Sequence, residues 1–147
     1  MLTRRTFLAL VAATAGQPLF AGSDPVFSRW GTAIRGYDPV AYFTQGEPHK
    51  GSKEFETMWN GATWRFTSAQ HQELFRSDPE KYAPKYGGYC AWAVANNYTA
   101  STQPEAWTIF EDRLYLNFSL NVRRRWEQDI PGNVAKGDAN WPGVLEK

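Results

Sequence analysis

The stretch Phe55-Glu56-Thr57-Met58-Trp59-Asn60-Gly61-Ala62-Thr63-Trp64-Arg65-Phe66 decides the fold class. Phe55, Thr57 and Trp59 alternate with Glu56 and Met58, which is the period of a strand with two unlike faces. Asn60-Gly61 interrupts the run, and both residue types tolerate the positive φ angles of a type I′ turn. Two alternating runs joined by such a pair predict a β-hairpin. Directly after it, Ser68 is placed to cap a helix through about Ser77, with Leu74 and Phe75 as apolar positions. Asp78-Pro79 then supplies a cap and a first-turn proline, opening a short helix to Tyr82.

Outward from this centre the signals stay local. Asp38-Pro39 is the same device ahead of Val40-Ala41-Tyr42-Phe43, and predicts another short helical turn. Gln45 to Lys53 carries glycine, proline and charge, and reads as a loop. Tyr86-Gly87-Gly88-Tyr89 breaks the chain before Cys90 to Ala95, a small, apolar run read as a buried helical turn that ends at Asn96-Asn97. Ala106 to Phe110 and Leu114 to Phe118 form a second hairpin around Glu111-Asp112-Arg113, where the lack of a glycine leaves the turn type open. Ser119 caps a helix running to about Ile130, with Leu120, Val122 and Trp126 apolar, and Pro131 to Trp141 predicts a last short helix closed by Pro142-Gly143. No βαβ alternation appears. The expected class is α+β, with a small antiparallel sheet built from two hairpins and short helices packed around it.

The N-terminus reads differently. Thr3-Arg4-Arg5-Thr6-Phe7-Leu8 precedes Ala9-Leu10-Val11-Ala12-Ala13, an uncharged apolar run. A basic start, a short apolar stretch and small residues near Ala21 are the marks of an export signal. The run is shorter than the roughly 20 apolar residues a bilayer span needs. The paired arginines resemble the twin-arginine motif, so residues 1–21 are expected to be a twin-arginine signal peptide and the mature chain periplasmic, with no transmembrane segment. Residues 22–35 read as an extended lead-in, 36–142 as the domain and 143–147 as a C-terminal tail.

The chain has 16 basic and 15 acidic residues, and without Arg4 and Arg5 the balance turns slightly acidic. No basic field exists to hold a nucleic acid, since Arg123-Arg124-Arg125 is one short run on a predicted helix face. The single cysteine, Cys90, excludes an internal disulfide, so the domain must rest on packing. Core packing also accounts for most of the seven tryptophans.

Several segments taken together resemble a known family. They are Gly36-Tyr37-Asp38-Pro39-Val40-Ala41-Tyr42-Phe43, Trp59 to Ser68, Asp78 to Pro84, Tyr86-Gly87-Gly88-Tyr89-Cys90-Ala91-Trp92-Ala93-Val94, Leu114-Tyr115-Leu116-Asn117 and Asn140-Trp141-Pro142. In order and spacing this set is similar to the YHS-domain family, in its exported single-domain branch, over about residues 36–142. The resemblance implies a small α+β module associated with metal handling. In metal-binding versions cysteines follow the Asp-Pro-Val and the aromatic end of the hairpin. Here Ala41 and Thr67 stand at those places, so a ligand set does not carry over residue by residue.

Four kinds of side chain carry candidate chemistry. A Cys90 thiolate after Gly87-Gly88 binds a soft metal such as Cu(I) or acts as a nucleophile; the alternative is a small buried hydrophobe beside Ala91 and Ala93. His71 on the helix and His49 in the loop are metal ligands or bases by type, or else a polar helix-face residue and a solvated loop residue. Asp38 is a ligand or a helix cap. Tyr37, Tyr86 and Tyr89, clustered near glycines, line a pocket or pack.

The leading expectation is a non-catalytic binding module for copper, zinc or a metal-bearing periplasmic partner, with Cys90 and His71 as first ligands. The alternatives are a partner-binding structural domain, marked by an exposed aromatic surface, and a thiol enzyme using Cys90, which requires a histidine base within reach.

Overall fold

The computed structural model describes residues 22–147; the expected signal segment lies outside the described residues. The Asn60-Gly61 pair turns as its chemistry dictates, with φ of 50° and 81°. It joins β3 (Ser52–Trp59) to β4 (Ala62–Phe66), antiparallel with Thr57 opposite Trp64 and a bulge between Ser52 and Glu56. Ala62, Trp64 and Phe66 all point inward, so one face of β4 is core. Ser68 caps α2 (Ala69–Ser77) by accepting from His71 N–H, and Asp78 caps α3 (Pro79–Tyr82). Phe75 from α2 sits on this face, its ring 5.1 Å from Phe66, 5.2 Å from Trp64 and 5.7 Å from Trp59.

The class is α+β, with a four-stranded sheet, a separate two-stranded sheet and six α-helices among the described residues. The two hairpins therefore belong to different sheets. The lead-in supplies what the first hairpin pairs with. Its two short strands, β1 (Ser28–Arg29) and β2 (Thr32–Ala33), turn at Trp30-Gly31, and β2 pairs parallel with β4 at Thr32 and Thr63. The order is β1-β2-β4-β3. Two-residue strands carry too little periodicity to be legible in sequence. The lead-in is held by burial of Val26, Phe27, Ala33 and Ile34 and by Phe27 N–H donating to the Gly87 carbonyl at 2.9 Å.

The second hairpin, β5 (Trp107–Phe110) and β6 (Arg113–Leu116), turns on Glu111-Asp112 with φ of 48° and 61°. Two acidic residues thus adopt the left-handed turn without glycine. Around the sheets lie α1 (Pro39–Thr44), α4 (Ala91–Ala95), α5 (Leu120–Glu127, capped by Ser119) and α6 (Ile130–Asn140, capped by Asp129). A second aromatic cluster fills the space beneath β6: Tyr115 lies 5.0 Å from Trp126 and 5.9 Å from Tyr86, which in turn lies 5.9 Å from Trp141. The tail closes the domain, because Val144 is buried and the Leu145 carbonyl accepts from Ser23 N–H at 2.8 Å. No helix among the described residues is long and apolar enough to cross a membrane.

Candidate functional site

Asp38 and His71 meet in the interior. Asp38 is fully buried, and its Oδ1 accepts from Val40 N–H at 2.8 Å and Ala41 N–H at 3.3 Å, the helix-cap role. Its Oδ2 accepts from the Thr67 N–H and hydroxyl, each at 2.9 Å, and lies 2.6 Å from His71 Nδ1. A carboxylate oxygen only accepts, so Nδ1 carries the hydrogen. The other ring nitrogen, Nε2, is 3.2 Å from the Thr44 hydroxyl. One carboxyl thus ties the start of α1, the end of β4 and the first turn of α2 together. Thr67 is a donor to Asp38 through both its amide and its hydroxyl.

Cys90 lies elsewhere, at the N-terminal edge of α4, with 1% of its surface exposed. Its Sγ accepts from Phe118 N–H at 3.3 Å and faces Asn117 Oδ1 at 3.5 Å. Asn117 Oδ1 also accepts from Trp92 N–H at 3.0 Å. Burial pushes the thiol pKa up, while nearby backbone N–H groups pull the other way. Neither histidine is a hydrogen-bond partner of the sulfur; His49 is paired with Glu47 at 3.0 Å in its loop. The Cys90 thiol therefore lacks the polarising base a nucleophile needs.

Cys90 and His71 share no hydrogen-bond partner, and among the described residues no group of three or more His, Cys, Asp or Glu is placed to hold a metal ion. Both oxygens of Asp38 are engaged and His71 Nε2 faces Thr44, so these donors do not form a cation site by themselves.

A third place offers open space. Where the two aromatic clusters meet, a cleft of about 560 Å³ is walled by Trp59 and Trp64 from the first hairpin and by Tyr86 and Trp141 from the second cluster. That volume is within the roughly 300–1,000 Å³ usual for small-molecule sites. Ala83, Pro84 and Gly87 supply apolar and backbone surface, and Glu80, Lys85 and Arg113 bring charge to its lining. Trp64 is the buried floor, its indole N–H donating to the Trp59 carbonyl at 3.0 Å. Tyr86 is fixed by its hydroxyl, which donates to Asp138 at 3.0 Å, and burial first and Asp138 second push its pKa up. Tyr86 also adopts a positive φ of 61°, followed by Gly87 at 63°. This reversal places the tyrosine under the cleft and lets the Gly87 carbonyl reach Phe27.

Of the two readings for the tyrosines near the glycines, Tyr86 meets both, packed in the core and lining the cleft, whereas Tyr89 is buried against Trp141 and its hydroxyl donates to the Asp24 carbonyl. Arg113 was legible only as part of a turn. Trp59 and Trp141 were legible as aromatic members of hairpin and helix, with no signal that they line one cleft from 82 residues apart in the chain. Comparison with protein-family models, with curated proteins and with solved structures found no match for this chain.

Proposed function

We propose that this chain is an exported, non-catalytic binding module of the YHS-like type, and that the aromatic cleft is its binding site. The observation that carries this reading is the cleft itself: Trp59, Tyr86 and Trp141 line an open space of about 560 Å³ at the seam of two packed clusters. Rigid aromatic walls give a ligand large contact area at little cost in side-chain entropy. The groups suited to covalent chemistry are spent on structure, Cys90 against Asn117 and Phe118, and His71 against Asp38. Export rests on Arg4-Arg5 and the apolar run after them, and the periplasm is the proposed location.

The test is a panel of small aromatic compounds of positive, neutral and negative charge, titrated while the tryptophan indole resonances are followed. Saturable shifts at Trp59 and Trp141 support the cleft. A panel that leaves both unmoved overturns it. Lysines in place of Arg4 and Arg5 should hold the full-length chain in the cytoplasm if the export route is twin-arginine.

Binding of copper, zinc or a metal-bearing partner is the second reading. It draws on the resemblance and on one observation: a carboxylate on Nδ1 is how proteins commonly orient a histidine ligand, and Asp38 stands in that relation to His71. The remaining donors would come from the partner. Metal retained by the wild-type protein and lost in His71→Ala would support it.

A further inference from the structure

Resting on the cleft reading above, we infer that the ligand is a small organic carboxylate with a flat apolar body, its carboxylate seated on Arg113. Charge in the lining is unevenly satisfied. Lys85 Nζ is paired with Asp138 at 3.1 Å. Elsewhere on the surface, Arg65 is paired with Glu56 at 3.1 Å. Arg113 has no ion-pair partner among the described residues, and its Nε is buried with no hydrogen-bond acceptor there. The side chain as a whole is half-buried, and this one buried donor left unmade costs about 1–3 kcal/mol.

An anion in the cleft gives the Arg113 charge the partner it lacks. The guanidinium presents parallel N–H groups that match the two oxygens of a carboxylate. Arg113 opens β6, next to the turn, and lines the cleft. Arg113 and Tyr86 line the same cleft. The flat body is set by Trp59 and Trp141, whose faces accept a planar group more readily than a branched one. Glu80 is exposed and disfavours a second negative charge on the far end of the ligand.

Benzoate, benzamide, benzylamine and phenyl phosphate are suitable probes, since they share one ring and differ in charge. Each is titrated into the mature protein, with the Trp59 and Trp141 indole resonances as readout. Benzoate should bind most tightly, and Arg113→Gln should weaken it by about tenfold or more while leaving benzamide unchanged. Arg113→Lys, which keeps the charge and loses the fork, should fall between. Unchanged indole positions in the free variants show that the fold is kept. Equal binding of benzoate and benzamide, or tighter binding of benzylamine or phenyl phosphate, overturns the carboxylate assignment and leaves the cleft standing. No saturable shift with any probe overturns both.

Discussion

His71 Nδ1 lies 2.6 Å from Asp38 Oδ2, across 33 residues of chain, and the same oxygen accepts both the amide and the hydroxyl of Thr67. The pair joins α1, β4 and α2 at one buried carboxyl, so its first role is in stability. Asp38→Ala strips an acceptor from at least four donors. Even if water reaches some of them, the loss should be about 3 kcal/mol or more, at about 1–3 kcal/mol per buried donor left unmade. His71→Ala should cost less, and the double variant should fall short of the sum because the two residues share an interaction. Denaturant unfolding of the three variants measures this; strict additivity would show that the contact is idle.

The Cys90 thiol should be inert in the folded protein. It is enclosed, its pKa is raised by burial, and it is held by Asn117 and Phe118. A thiol-reactive dye should label it only at the rate of unfolding, rising together with denaturant. Rapid labelling under native conditions would return the thiol enzyme to consideration.

Gly87 should not tolerate alanine. Its φ is +63°, and an added Cβ would run into the Pro25 carbonyl oxygen. Strain and displacement of the lead-in together should cost about 2–4 kcal/mol. Because Phe27 N–H donates to the Gly87 carbonyl, hydrogen exchange at Phe27 should speed up more than exchange in α2.

The fold should weaken in alkali. The Tyr42 and Tyr86 hydroxyls are pushed above their ordinary range, chiefly by burial, and Tyr86 also by the Asp138 carboxylate it bonds. In the unfolded chain a tyrosine releases its proton at about pH 10. Above that value the unfolded state binds fewer protons than the folded state, so stability falls as pH rises. The contribution is whole below about pH 10 and is lost as pH climbs from there toward the folded values. Tyr86→Phe should flatten this decline, and phenolate absorbance should show Tyr42 and Tyr86 titrating only as the protein unfolds, with Tyr89 and Tyr115 also shifted upward by burial.

The parts of the molecule legible in sequence are those whose causes are local. Asn60-Gly61, Ser68, Asp78-Pro79 and Ser119 each act on residues within one turn, and each does in the structure what its chemistry dictates. The second hairpin was legible about Glu111-Asp112, but the conformation of its turn was not, because no glycine marks its positive φ angles. The same limit hides the pairing of β2 with β4, where two-residue strands leave no period to read. Asp38 was legible as a cap and His71 as a polar helix residue; that one serves the other depends on how α1 packs against α2. The cleft is less legible still. Its walls come from β3, β4, the Tyr86 reversal and the end of α6, and only Tyr86 carried a signal, through the glycines beside it.

The central claim is that this domain binds its ligand between Trp59, Tyr86 and Trp141. The most direct measurement is a chemical-shift map of the protein with the small-aromatic panel and, separately, with copper and with zinc. Saturable shifts centred on Trp59, Tyr86, Arg113 and Trp141 in response to the aromatic compounds are the expected result. A silent cleft, with shifts instead confined to His71 or Cys90 on addition of metal, would contradict it.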